Sequence, residues 1–177
     1  LKSVLGRMVP DERYLCHSPQ ERLWIGGQWI EGLLPPAERH SARERQYRRF
    51  AQLVSEASRT LGFTIPSARA GWKPGHAALD AISFAQWLQA QGLDDPALRW
   101  YLDYSCRDDY GADAASVSAW AGLHYFASRH GFHAPGDEAP ERDGVFTWPE
   151  GNAWLTRRLA APLGERVIGG AVVRHIE

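Results

Sequence analysis

The chain has 177 residues, a formal net charge of −1 and eight tryptophans. A chain of this length can bury about 70% of the surface that its unfolded form exposes, so one sizeable core is possible. The near-neutral charge provides no overall electrostatic field that would attract nucleic acid. A membrane span requires about 18 consecutive apolar residues, and no apolar run in the sequence approaches that length. The two cysteines, Cys16 and Cys106, are expected to be free thiols, which is compatible with a reducing compartment. Residues 1–20 show little periodicity and are predicted to be a mostly extended leading segment.

A β-hairpin is predicted over residues 22–31, where two β-favouring runs flank Gly26-Gly27. Trp24 and Trp29 could pair across this hairpin or pack on a helix below it. Core packing is the expectation for both, because large aromatic side chains contribute much of the buried apolar surface in folded proteins.

Residues 37–61 form the longest predicted helix, with apolar side chains at helical spacing and Gly62 as its stop. Its other face carries several arginines, which by themselves suggest phosphate binding. Glutamates at three- and four-residue spacing from them favour a solvated, ion-paired surface instead.

Residues 63–79 read as a loop, because prolines and glycines interrupt the segment. Trp72 and Lys73 lie within it. Loops carry functional residues more often than cores do. A solvated side chain is nevertheless the expectation for Lys73.

A layer of shorter helices is predicted after this loop. Ser83 and Gln86 form a capping box at the start of one helix, and Asp95 caps another with Pro96 at its first position. A third helix is expected over about residues 115–129, followed by a surface loop rich in Gly, Pro and acidic residues.

The last thirty-odd residues read as strand, turn, helix and strand. Residues 145–148 favour a strand, Asn152 is a suitable N-cap, and Gly164 is expected to stop the helix that follows. Residues 172–176 are rich in β-branched side chains and are predicted to form a strand. Because the sequence stops on this run, we expect the chain to be a piece of a longer protein.

These closing residues resemble a known family. The turn Pro149-Glu150-Gly151-Asn152, the helix ending Leu163-Gly164-Glu165-Arg166-Val167 and the strand ending Ile176-Glu177 are similar to the middle of the flavin-dependent amine oxidase superfamily. That superfamily includes monoamine oxidases, phytoene desaturases and protoporphyrinogen oxidase. The run Ser83-Phe84-Ala85-Gln86-Trp87-Leu88 also resembles bacterial amine-oxidase-like flavoproteins. The turn departs from the family pattern, because Glu150 stands where the first of two glycines is usual.

The resemblance implies a domain organisation and a cofactor. Residues 1–144 would be a substrate-binding-type domain, and residues 145–177 would be a helix and a strand returning to an FAD-binding domain. FAD would be held by the full-length protein rather than tightly by this portion. A valine on the returning strand contacts the adenine side of the cofactor through its backbone, and the matching position is Val173, with Val172 beside it.

The resemblance also implies a dry, aromatic-rich cavity for a small-molecule substrate, and it assigns Trp72, Tyr110 and Trp148 to substrate binding. The flavin would take a hydride from a C–N or C–C bond. The sequence itself contains no Gly-x-Gly-x-x-Gly, so this chain has no dinucleotide phosphate cradle of its own.

Two other clusters have simpler structural explanations. Asp108 and Asp109 are adjacent and do not face each other on a helix, so a cap and an arginine partner account for them better than a shared proton. A metal site built on the histidines His124, His130 and His133 is disfavoured, because no second ligand follows His124 at four residues and no Cys-x-x-Cys occurs.

The expected fold class is α+β, a mixed or antiparallel sheet formed by the hairpin and the strands at 145–148 and 172–176, covered by four or five helices. The leading functional hypothesis is the substrate-binding portion of an FAD-dependent oxidoreductase of the amine oxidase type. The alternative is a self-contained, non-catalytic binding module for a protein partner or an apolar small molecule. The strand at 172–176 is expected to pair with a second copy in a homodimer or swapped assembly, or to stay frayed.

Overall fold

The computed structural model describes residues 15–17, 21–129, 131–135, 145–147 and 150–177. The chain divides into two compact units, one spanning Gln20–Arg142 and the other formed from Leu1–Pro19 and Asp143–Glu177. The fold class is α+β. In the described residues the elements follow in this order: β1 Leu15–His17, β2 Arg22–Ile25, β3 Gln28–Glu31, α1 Ala42–Leu61, α2 Pro74–Asp80, α3 Phe84–Ala90, α4 Pro96–Tyr110, α5 Ala119–Ala127, β4 Val145–Thr147 and α6 Asn152–Ala160.

The hairpin of β2 and β3 forms where it was predicted. Gly26 and Gly27 have φ angles of 60° and 82°, so both adopt the left-handed conformation that a two-residue hairpin loop requires. Trp24 lies opposite Trp29, and their ring centroids are 5.3 Å apart. The expectation that these two side chains lie in the core is wrong, because they are 56% and 64% exposed. Their contact stabilises the hairpin across its strands instead.

The strands form two separate antiparallel pairs rather than one sheet. β2 pairs with β3, and β1 pairs with β4 with Cys16 opposite Phe146. The strand predicted near residue 145 is therefore present, but its partner lies in the segment predicted only as extended chain.

The predicted strand at 172–176 does not form. The backbone of these residues belongs to no helix or strand, and the side chains of Val172 and Val173 are 84% and 74% exposed. A strand needs a neighbour to accept its backbone hydrogen bonds, and no described strand lies beside this run.

Helix boundaries follow their capping residues. Ser41 accepts a hydrogen bond from the Glu44 N–H, so α1 begins at residue 42 rather than 37, and it ends at Gly62 with φ 76° as predicted. The Ser83 and Gln86 capping box and the Asp95 cap are present. The third helix of the layer, α5, spans only Ala119–Ala127 because Ser118 caps it.

Two helical assignments from the sequence need correction. The predicted loop at 63–79 contains α2, in which Pro74 occupies the first turn, where its missing N–H has no helical partner in any case. At the other end of the chain Gly151, not Asn152, is the N-cap of α6. That helix ends at Ala160, and a 3₁₀ turn over Ala161–Arg166 contains Gly164.

Helix α5 is the centre of the helical unit, since α1, α2, α3 and α4 all pack against it. The core beside it is aromatic. The Phe50 ring lies 5.3 Å from that of Phe126 and 4.9 Å from that of Phe132, in both cases nearly perpendicular. Cys106 is a free thiol buried in the same core. None of the helices in the described part of the chain combines the length and apolarity needed to cross a membrane.

Candidate functional site

Trp72 lies at the surface of an aromatic and histidine cluster. Its side chain is 67% exposed, and its ring centroid is 5.2 Å from that of His76, which is only 2% exposed. Phe63 and Trp120 pack on the other sides of His76, at centroid distances of 5.5 Å and 6.4 Å. The cluster therefore offers an exposed indole face supported by a packed interior.

The geometry indicates the tautomer of His76 for a neutral ring. The Lys73 backbone N–H lies 3.3 Å from His76 Nδ1, which accepts from it. A neutral ring then carries its proton on Nε2. Neither His76 Nε2 nor Trp120 Nε1 has a hydrogen-bond partner among the described residues, although both atoms are buried. Both side chains pack among aromatic rings, and the Trp120 ring stacks on that of His124 at a centroid distance of 4.9 Å.

Lys73 has a structural role. Its Nζ donates to the Thr60 carbonyl oxygen at 2.8 Å, close to the C-terminus of α1. A cation at this end of a helix stabilises carbonyl groups that have no helical partner. The exposed Lys73 side chain therefore ties α1 to the start of α2.

Tyr110 is the last residue of α4, and its side chain is 38% exposed. Its hydroxyl donates to the Ala121 carbonyl oxygen at 2.8 Å. Burial, and then the neighbouring Asp109 carboxylate, raise the pKa of Tyr110 to about 12. The phenol is thus neutral at physiological pH and its oxygen can still accept a hydrogen bond. The structure does not bring the rings of Tyr110 and Trp72 into contact.

Three further site residues are predicted from the sequence, namely Val172, Val173 and Trp148. Val172 and Val173 are in the exposed C-terminal run of the other unit. Trp148 lies outside the described residues.

Asp108 and Asp109 do not act as a pair. Asp109 accepts from Arg129 at 2.9 Å, whereas the neighbouring Arg107 binds Asp103 at 2.5 Å. The expected arginine partner is therefore Arg129, from beyond α5, and it binds Asp109. The expected cap is wrong, because both aspartates lie inside the last turn of α4. In the portion that the structure describes, no three His, Cys, Asp or Glu side chains are grouped so as to hold a metal ion.

A hollow of about 490 Å³ opens beside the C-terminal half of α1, and we call it the α1 hollow. The segment after α5 forms its opposite wall. The lining residues are Ala51, Val54, Ser55, Ser58, Arg59, Ala127, Arg129, Gly131, Phe132 and His133. Its volume falls within the range of about 300–1,000 Å³ that is common for small-molecule sites. Sequence reasoning did not find this site, and the one signal it offered is the recurrence of small residues on one face of α1.

Comparison with solved structures identifies an amine-oxidase-like fold. Four of the solved structures that match are forms of putrescine oxidase. The wild-type enzyme bound to putrescine matches with a TM-score of 0.63 and 21% sequence identity. A triple mutant and a single mutant from a redesign of its cofactor binding each match with a TM-score of 0.65 and 22% identity.

These matches cover 94% of this chain and 36% of the putrescine oxidase chain, so the chain spans about a third of the length of the structures it matches. No protein-family model and no curated protein matches the sequence. At this level of identity the likeness concerns the fold.

Proposed function

We propose that this chain is the substrate-side portion of a flavin-dependent oxidoreductase of the amine oxidase type. The observation that carries the proposal is the match of 94% of the chain to putrescine oxidase, a protein whose name states an amine as its substrate. Residues 1–144 would form the substrate-binding part, and residues 145–177 would lead back to the cofactor domain. When bound, FAD would accept a hydride from the carbon next to the amine nitrogen.

The chain's residues fit one edge of such a cofactor. Val172 and Val173 are largely exposed and their backbone belongs to no helix or strand, which leaves amide and carbonyl groups available to an adenine ring. No two glycines in the sequence are separated by a single residue. The sequence therefore lacks the glycine pattern that holds the pyrophosphate of a dinucleotide.

Trp72 and Tyr110 supply two properties that an amine site uses. The exposed Trp72 indole presents a π-face, which attracts a cationic ammonium group. The neutral Tyr110 hydroxyl donates to Ala121 and retains lone pairs that accept from an ammonium N–H. We assign both residues to binding and orienting the substrate.

The test uses the protein encoded by the complete reading frame that contains this chain. We expect the purified protein to show visible flavin absorbance, and we expect putrescine or another primary amine to bleach it in the absence of oxygen. Trp72→Ala should raise the amine concentration for half-maximal bleaching up to about tenfold, because it removes one cation–π contact.

Trp29→Ala is the matched control, because Trp29 is also about two-thirds exposed but belongs to the hairpin. It should leave the amine dependence unchanged. A protein without flavin, or a flavin that no amine reduces, would contradict the proposal and favour the non-catalytic binding module. Equal effects of the two substitutions would remove Trp72 from the substrate site.

A further inference from the structure

The α1 hollow has an apolar base. Val54, Ala127 and Phe132 are 1%, 5% and 5% exposed, so these side chains are held rigidly by the core behind them. Ala51 and Ser55 leave room in front of this base because their side chains are short. A hollow of about 490 Å³ with such a base accommodates an aromatic or short aliphatic group.

The rim of the hollow is cationic. Arg59 lies one helical turn after Ser55 on the same face of α1 and is exposed. It forms no ion pair or hydrogen bond with any other described residue. Among the described residues, none that lines the hollow carries a carboxylate to neutralise this guanidinium.

Arg129 contributes a second, fixed guanidinium. It donates to the Tyr125 carbonyl oxygen at 2.7 Å and to Asp109 at 2.9 Å, and its central carbon lies 4.7 Å from the centre of the Tyr125 ring. Asp109 offsets part of its charge, so Arg59 is the stronger attraction for an anion. Arg129 adds N–H donors in a set position.

We propose that the α1 hollow binds a small amphipathic carboxylate, with its apolar body on Phe132 and its carboxylate beside Arg59. An arginine guanidinium matches the planar geometry of a carboxylate and forms charge-assisted hydrogen bonds with it. A cationic amine would be repelled by Arg59 and a bare inorganic anion would leave the apolar base uncovered. The residues that line the hollow include neither Trp72 nor Tyr110, and the proposal does not depend on flavin chemistry.

The experiment is a calorimetric titration of the protein from the complete reading frame with 1-naphthylacetate. The uncharged 1-naphthylacetamide and inorganic phosphate serve as comparison probes. We expect 1-naphthylacetate to bind at least about tenfold more tightly than either, because each comparison probe lacks one of the two recognised features. Amide chemical shifts of Ser55, Arg59 and Gly131 should change on binding.

Three variants locate the binding in the hollow. Arg59→Gln should weaken carboxylate binding about tenfold, and Ser55→Trp should abolish it by filling the space. Arg49→Gln is the matched control, because Arg49 is exposed on the same helix but does not line the hollow. It should leave binding unchanged, and unaltered circular dichroism spectra would confirm that all three variants fold.

Several results would overturn the proposal. These are the absence of binding, equal affinity for the carboxylate and its amide, and equal losses for Arg59→Gln and Arg49→Gln. Tight binding that survives Ser55→Trp would place the ligand elsewhere on the protein and would also refute the assignment.

Discussion

The Phe84 ring lies directly against the Cα of Gly122, so close that a Cβ on Gly122 would come within 2.4 Å of two ring carbons. Phe84 is fully buried and its position is fixed by backbone pairing at the starts of α3 and α5. The Phe84 N–H donates to the Val117 carbonyl at 2.8 Å, and the Ala119 N–H donates to the Ile82 carbonyl at 2.9 Å. This contact sets the close approach of the two helices.

Gly122→Ala should therefore destabilise the helical unit. Alanine gains up to about 1 kcal/mol over glycine in a helix interior, but overpacking a rigid core typically costs about 1–3 kcal/mol. We expect a net loss of about 1–2 kcal/mol in the free energy of unfolding, measured by urea denaturation. Gly75→Ala is the control. Its new Cβ would meet the flexible end of Leu61 at 2.7 Å, so the change should be smaller. Equal losses in the free energy of unfolding for Gly122→Ala and Gly75→Ala would show that the contact with Phe84 is not what destabilises Gly122→Ala.

Asp95 joins α4 to α1 through both carboxylate oxygens. Oδ1 accepts from the Ala97 and Leu98 N–H groups at 3.0 Å, and Oδ2 accepts from Arg43 Nε at 3.1 Å. Asp95→Ala should cost about 1–2 kcal/mol because it removes the cap. Asp95→Asn keeps the capping oxygen and loses only a partly exposed ion pair, so it should cost less than about 1 kcal/mol. Thermal unfolding compares the two, and a larger loss for the asparagine variant would contradict the capping argument.

Short-range sequence signals show why parts of the fold can be predicted. Gly26-Gly27, the Ser83 and Gln86 box, and Asp95 before Pro96 act within a few residues of chain, and each forms where the sequence indicated. The pairing of β1 with β4 joins segments about 130 residues apart and leaves no local signal. The run 172–176 has strand composition, but composition alone does not form a strand without a neighbour.

The candidate functional site is likewise only partly predictable from the sequence. Trp72 could be noticed in the sequence as an aromatic residue in a segment rich in Pro and Gly. Its support by His76 and Trp120 could not be predicted, because these side chains meet only when α2 packs on α5. The α1 hollow likewise depends on the approach of residues 131–133 to α1. Neither α1 nor residues 131–133 alone carry a sequence pattern that is typical of a binding site.

Cys106 makes folding stability sensitive to alkaline pH. Burial, and then the Asp103 and Asp113 carboxylates, raise the pKa of its thiol from 9.0 to about 12. Between these values the unfolded chain releases a proton that the folded chain keeps, so stability falls as pH rises. Cys106→Ala should make this fall shallower by up to about 1.4 kcal/mol per pH unit, measured by urea denaturation from pH 9 upward.

A second measurement tests the burial directly. In a Cys16→Ser background, the native protein should react with a thiol reagent only as fast as it unfolds, and denaturant should release one reactive thiol. Tyr47 and Tyr110 also have pKa values raised to about 12 and add to the slope at higher pH, so the comparison is sharpest near pH 9 to 10. Rapid modification of the native protein, or identical slopes with and without Cys106, would refute the prediction.

Val173 lies in a run that exposes apolar, β-branched side chains without a strand partner in the described residues. Runs of this kind recruit other strands through their free N–H and C=O groups. We expect the 177-residue chain on its own to self-associate through residues 172–176 as its concentration rises, measured by sedimentation equilibrium. Val173→Pro removes a backbone donor and should abolish the association while the helical signal is retained. Val173→Thr keeps the donor and the β preference, so it should associate like the unaltered chain.

A chain that remains monomeric at all concentrations, with rapid hydrogen exchange at Val172 and Val173, would show that the run stays unpaired in isolation and would refute the predicted homodimer.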